Sequence, residues 1–179
     1  MKKVLLVLMS FLLFGCSLSN TPSSKVELYL NNYNNLTDEV LMDIEKSALN
    51  ENLNDANKEQ YKNVLSKQYE NMKYEIKDES IDGNTAIVTA NIQVYDLHKI
   101  EKESMNYMGE HLNEFSDNDG VFSNDLFNTY RINQLLNAED KVDYEIKFYL
   151  DKKNDEWVLR NPERVVLEKI NGLYNYEQD

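Results

Sequence analysis

Residues 86–95, Ala86-Ile87-Val88-Thr89-Ala90-Asn91-Ile92-Gln93-Val94-Tyr95, decide the fold. Side chains alternate across a strand with a period of two. Ala86, Val88, Ala90, Ile92 and Val94 therefore share one face, and Ile87, Thr89, Asn91, Gln93 and Tyr95 share the other. One face is apolar and the other mixed, as in an antiparallel sheet covered by helices on one side only. Just upstream, Asp82-Gly83-Asn84 supplies the positive-φ chemistry of a hairpin turn, and Tyr74 and Ile76 alternate with charged residues on the preceding strand. The pattern returns near the other end of the chain. There Val142, Tyr144, Ile146, Phe148 and Leu150 alternate with Asp143, Glu145, Lys147 and Tyr149, Lys153-Asn154-Asp155 turns the chain, and Trp157 and Leu159 share the last strand's inner face.

Helical periodicity fills the rest. Val26, Tyr29, Leu30, Tyr33 and Leu36 recur at three- and four-residue spacing, and Val40, Leu41, Ile44 and Ala48 continue the stripe. Thr37, followed by Asp38 and Glu39, predicts a bend or restart between the two runs. Asp55 opens a helix with Tyr61, Val64, Leu65, Gln68, Tyr69 and Met72 mainly on one side. Asp96 caps another, expected to carry Leu97, Ile100, Met105, Met108, Leu112 and Phe115. After the breaker Ser116-Asp117-Asn118-Asp119-Gly120, a helix from Asn124 to about Ala138 carries Leu126, Phe127, Tyr130, Leu135 and Leu136. Asn161-Pro162 reads as N-cap and first position of a short closing helix that Gly172 ends. The expected fold is α+β: a four-stranded antiparallel sheet of two hairpins, packed with N-terminal, central and short C-terminal helices. Trp157, the only tryptophan, is expected to anchor the core.

Cys16 is the only cysteine among 179 residues. It follows a positive Met1-Lys2-Lys3, an apolar run from Val4 to Phe14 broken only by Ser10, and the small Gly15. The run is shorter than the roughly 20 residues a membrane-spanning helix needs and fits a cleavable export signal. Leu13, Gly15 and Cys16 resemble a bacterial lipobox, although Phe14 is bulky for it. The resemblance implies cleavage between Gly15 and Cys16 and diacylation of the Cys16 thiol. Residues 1–15 are then a signal peptide, 16–24 a lipidated tether reaching roughly 27 Å, and 25–176 a single domain. Two acyl chains hold a protein to a bilayer where one is marginal.

Removing residues 1–15 takes two of the 19 basic side chains and none of the 32 acidic ones, leaving 17 against 32, a formal charge of −15. That balance opposes nucleic-acid binding, which needs cations to neutralise phosphates, and a polybasic clamp on anionic lipid. With no second thiol to pair, the domain must be stabilised by its apolar core, and a monomer is expected.

Chemical motifs are sparse. His98 and His111 each begin an H-x-x-E pair, with Glu101 and Glu114. On one helix the two histidines would lie about 20 Å apart and about 140° out of phase, so they cannot share a metal; zinc sites need three or four protein ligands. Asp117, Asp119 and Gly120 resemble part of a calcium loop, but Phe115 and Leu126 stand where an EF-hand needs acids. A looser site would use Asp117, Asp119 and Asp125. There is no Gly-rich phosphate loop and no G-x-S-x-G elbow, and no cofactor or metal is expected.

Four further strings carry a resemblance. They are Lys62-Asn63-Val64-Leu65-Ser66-Lys67-Gln68-Tyr69, residues 73–83 together with Val94-Tyr95-Asp96-Leu97, and Glu168-Lys169-Ile170-Asn171-Gly172-Leu173-Tyr174-Asn175-Tyr176. The mature chain resembles a group of small lipoproteins from low-GC Gram-positive bacteria, strings without known chemistry that imply no active site. More loosely it is similar to the cystatin-like cone of the nuclear transport factor 2-like superfamily, which implies a curved sheet around helices. The function expected is that of a non-catalytic, lipid-anchored domain on the extracytoplasmic face of the cell membrane, binding an envelope protein, peptide or small ligand. The face of Ile87, Thr89, Gln93 and Tyr95 is its candidate contact surface. The alternative is an envelope hydrolase acting on glycan or peptide through buried carboxylates.

Overall fold

A computed structural model describes residues 20–178; the expected signal segment, residues 1–15, and Cys16 lie outside the described residues. Its elements, in chain order, are α1 (Pro22–Asn34), α2 (Asp38–Asn50), α3 (Asp55–Glu70), β1 (Lys73–Asp82), β2 (Thr85–Tyr95), α4 (Leu97–Glu110), α5 (Asn124–Leu136), β3 (Lys141–Lys153), β4 (Glu156–Leu159) and α6 (Arg164–Ile170). Short 3₁₀ turns occupy Leu112–Phe115 and Tyr176–Gln178. The strands form one antiparallel sheet in the order β1-β2-β3-β4, so the α+β fold is as the alternation predicts.

The register puts each apolar row against the next. Ala86, Val88, Ala90 and Ile92 face Leu150, Phe148, Ile146 and Tyr144 across β2–β3, and all eight are buried. Helices α1 and α3 cover this inner face with the fully buried Val26, Leu30, Val64 and Leu65. Edge-on ring contacts join the layers: Tyr29 to Phe148 at 5.9 Å and Tyr33 to Tyr69 at 4.9 Å between centroids. Helix α2 packs on α3, while α5 packs on α3 and α4 on α5 as a second helical tier. Trp157 is buried, 7% exposed, on the inner face opposite Lys152, and β4 lies against α1.

A polar knot ties α3 to the sheet and the C-terminal segment. The Gln68 side chain is buried. Its amide donates to the Tyr95 carbonyl at 3.2 Å, and its oxygen accepts the Tyr95 N–H at 3.1 Å. Gly172 (φ +69°) lies directly against this pair, where a Cβ would overlap the Tyr95 carbonyl oxygen and the Gln68 amide nitrogen. Gly172 thus ends the C-terminal helix as expected, and its lack of a side chain also makes this contact sterically feasible.

Three expected boundaries move. The first helix begins at Pro22, not Lys25, because Thr21 and Ser24 form a capping box with Pro22 in the first turn. Asn20 is already bound, donating to the Asp155 carbonyl at 2.7 Å and accepting the Trp157 N–H at 3.2 Å. Residues 20–24, expected in the tether, therefore belong to the folded part of the chain. Helix α4 ends at Glu110 rather than running on to Phe115. The His111 ring stacks on Tyr107 at 4.0 Å, and the chain turns back so that Phe115 packs on Phe127 and Tyr130 while Leu112 stays exposed. Helix α6 starts at Arg164 with Glu163 as its N-cap. Asn161-Pro162 is a lead-in, because the Arg160 N–H still bonds the Tyr149 carbonyl at 2.9 Å and prolongs the β3–β4 pairing.

Candidate functional site

Strand β2 places Ile87, Thr89, Asn91, Gln93 and Tyr95 on the sheet's outer face, opposite Tyr149, Lys147, Glu145, Asp143 and Lys141 of β3. The two ends of this face differ. At one end Ile87 and Tyr149 are a direct cross-strand pair, 39% and 41% exposed, and Val158 continues the apolar strip at 42%. At the other, Tyr95 lies between the ammonium groups of Lys67 and Lys141, 4.7 and 4.8 Å from its ring centre, and Gln93 donates to Asp143 at 3.1 Å. Eight residues of strand, roughly 27 Å, separate the ends. The four expected contact residues share a face but are not brought together, and the apolar surface free for contact is at Ile87.

The feature that sequence reasoning missed adjoins that end. Strand β3 spans 13 residues and β4 only four, and β4 pairs only with Leu150–Lys153. Backbone N–H and C=O groups alternate sides along a strand. The Tyr149 carbonyl accepts from Arg160 and the Glu145 carbonyl from the Lys169 ammonium, so odd-numbered residues of β3 point away from β2. Asp143, Glu145 and Lys147 consequently present an open strand edge with no backbone partner among the described residues. Between this edge, the Arg160–Glu163 lead-in and α6 runs a groove of about 340 Å³. Ile146, Phe148, Pro162 and Val166 give it apolar walls, and Glu145, Lys147 and Lys169 line its rim. Arg160 is held by a two-pronged pair with Asp151 at 2.6 and 3.1 Å, and its hydrogen bonds, with its positive charge, hold the Asp151 carboxyl below the ordinary carboxylate range. The Lys169 ammonium rests over the Tyr174 and Tyr144 rings. Lys147 has no ion pair among the described residues.

The remaining candidates resolve into structural roles. His98 and His111 sit at opposite ends of α4. Glu101 accepts from Arg131 at 2.9 Å, and Glu114 accepts the Tyr107 hydroxyl at 2.9 Å, so neither H-x-x-E pair closes. The Asp117 carboxylate accepts the N–H groups of Asp119 and Val121, both at 2.9 Å, and so closes its own turn. Asp125 lies apart in the first turn of α5. Among the described residues no three His, Cys, Asp or Glu side chains are placed to hold a metal ion.

One pair of carboxylates does converge. Arg131 bridges Glu101 and Glu51, the latter at 3.3 Å, beside a second groove of about 300 Å³. Burial pushes the Glu101 carboxyl above its ordinary value while Arg131 pulls it partway back. Burial and the two nearby carboxylates push the Tyr61 phenol up to about 12. The cluster fastens the segment after α2 to α4 and α5.

No family model, curated protein or solved structure matches this chain. Among the described residues no helix is long and apolar enough to cross a membrane.

Proposed function

We propose that this chain is a lipid-anchored, non-catalytic domain on the extracytoplasmic face of the cell membrane, binding a protein or peptide of the envelope through the bare side of its sheet. The observation that carries the reading is the exposed Ile87–Tyr149–Val158 strip on a face that leaves its apolar side chains half in water. Cys16, behind its Leu-x-Gly and apolar run, supports the anchor. Asn20 is fixed to Asp155 and Trp157, and four chain steps of 3.8 Å put Cys16 within about 15 Å of it. The β3–β4 turn is thereby kept beside the bilayer.

Two experiments test this. Metabolic labelling with a fatty-acid probe should mark the wild type and not Cys16→Ala; equal labelling contradicts the anchor. A photo-crosslinker at Val158 in intact cells should capture a discrete partner, which Ile87→Asp combined with Tyr149→Asp should abolish. Unchanged capture contradicts the surface. A second reading, an envelope hydrolase, is favoured only by the raised carboxyl of Glu101 beside Glu51. The shared Arg131 counts against it, because its guanidinium engages an oxygen of each of the two groups. Glycan or peptide cleavage lost in Glu101→Gln with folding intact would establish it.

A further inference from the structure

Resting on the binding reading above, we infer that the partner is an extended polypeptide segment that adds to the open edge of β3 as a fifth, antiparallel strand. Three independent features point to it. The first is the row of backbone groups at Asp143, Glu145 and Lys147, which has no backbone partner among the described residues and has the alternation that an added strand pairs with. The second is how the two sheet edges are finished. The opposite edge, β1, breaks register between Ile76 and Asp78, a bulge of the kind that turns an edge away from pairing. Strand β3 keeps an unbroken register against β2 from Lys141 to Asp151. The third is charge and shape beside the edge. In a strand added there, alternate side chains point into the groove between Ile146, Phe148 and Val166, and the others lie beside Glu145 and Lys147 on the outer face.

These features define a sequence preference. Antiparallel pairing sets the residue opposite Lys147 two positions before the residue opposite Glu145. An acid, an apolar residue and a base, in that order, match the edge by cross-strand charge pairing and fill the groove. The Lys169 ammonium, 3.3 Å from the Glu145 carbonyl, is displaced by the incoming N–H and keeps the faces of Tyr144 and Tyr174.

The test uses the full-length lipidated protein in detergent micelles and a fluorescent, capped peptide, threonine–valine–glutamate–valine–lysine–valine–threonine, read by anisotropy. Saturable binding is expected. N-methylation of the peptide's glutamate and lysine, whose N–H groups face the edge, should weaken it at least tenfold; N-methylation of the three valines, whose N–H groups face away, should change it less than threefold. Glu145→Lys combined with Lys147→Glu should reverse the preference between this peptide and its charge-exchanged counterpart. Equal effects at both sets of methylation sites, or no reversal, overturn strand addition. If no peptide binds while the Val158 crosslink persists, strand addition is wrong and the binding reading stands. If the crosslink is absent as well, both fall.

Discussion

At one edge of the sheet β1 loses register with β2 around Lys77, and α1 flanks it, with Ser23 bonding the Glu79 carboxylate through both its N–H and its hydroxyl. At the other edge β3 runs straight for 11 residue pairs, and β4 shields only its last third or so. Edge strands invite pairing with other chains, and proteins blunt them with bulges, charges or covering elements. Here one edge is blunted by a bulge and a neighbouring helix. The other is left with a straight backbone, and the chain next to it is held off far enough to leave a groove. The contrast locates the surface of interest on β3, where chemistry-bearing motifs are absent.

The shielded part of β3 depends on Trp157, so its loss should change the comparison most. Trp157 is the buried anchor of a four-residue strand. Trp157→Ala should cost about 3–5 kcal/mol and free β4, lengthening the open edge. Urea unfolding measures it, and a loss below about 1 kcal/mol would mean that β4 is held by something else. Gly172→Ala acts on the far wall of the groove. Positive φ and overlap with Tyr95 and Gln68 should together cost about 2–3 kcal/mol and loosen the α6 segment. A neutral melt would show that the knot at Gln68 is slack.

Away from either edge, Glu101 gives the control. Its carboxyl is raised in the fold by burial, so the folded state holds its proton more tightly than the unfolded chain does. That contribution favours the fold fully below the ordinary value of 4.5 and is lost as pH rises from there through the raised value. Glu101→Gln should flatten this part of the stability–pH curve, and peptide binding at β3 should not change. An unaltered curve would place the titration elsewhere. The smallest effect on stability is expected from deleting Lys77, about 0.5 kcal/mol or less. Lys77 is the residue skipped between the Ile76–Ala90 and Asp78–Thr89 pairs, so its removal makes β1 regular without turning any side chain over. Sedimentation equilibrium should then show stronger self-association than the wild type does under the same conditions. Self-association no stronger than the wild type's would show that the bulge does not protect this edge.

The strands were legible because each buried face repeats without exception over five positions, from Ala86 to Val94 and from Val142 to Leu150. The restart at Thr37 and the cap at Asp96 were legible in position; Asp96 does accept the Lys99 N–H, whereas Thr37 makes no side-chain cap bond. The end of α4 was not. Leu112 and Phe115 sit at helical spacing, and only the packing of Phe115 on Phe127 and Tyr130 pulls the chain out of the helix. The start of the domain was obscured for the opposite reason, since Thr21-Pro22 is a helix-start signal inside a stretch that reads as polar linker. Ile87, Thr89, Gln93 and Tyr95 were correctly placed on one face, but alternation says nothing about Lys67 of α3 reaching the Tyr95 ring. The groove was beyond reach because it arises from the mismatch between a 13-residue and a four-residue strand and from where α6 settles, both tertiary outcomes.

Residue-resolved amide hydrogen exchange along β3 tests the open edge most directly. The N–H groups of Tyr144, Ile146 and Phe148 point to β2, opposite Ile92, Ala90 and Val88, and those of Asp143, Glu145 and Lys147 point into the groove and solvent. The account predicts slow exchange at the first three and fast exchange at the second three, with the fast set becoming protected when the seven-residue peptide is bound. Uniform protection of all six amides in the free protein would mean that the edge is already covered, and would contradict it.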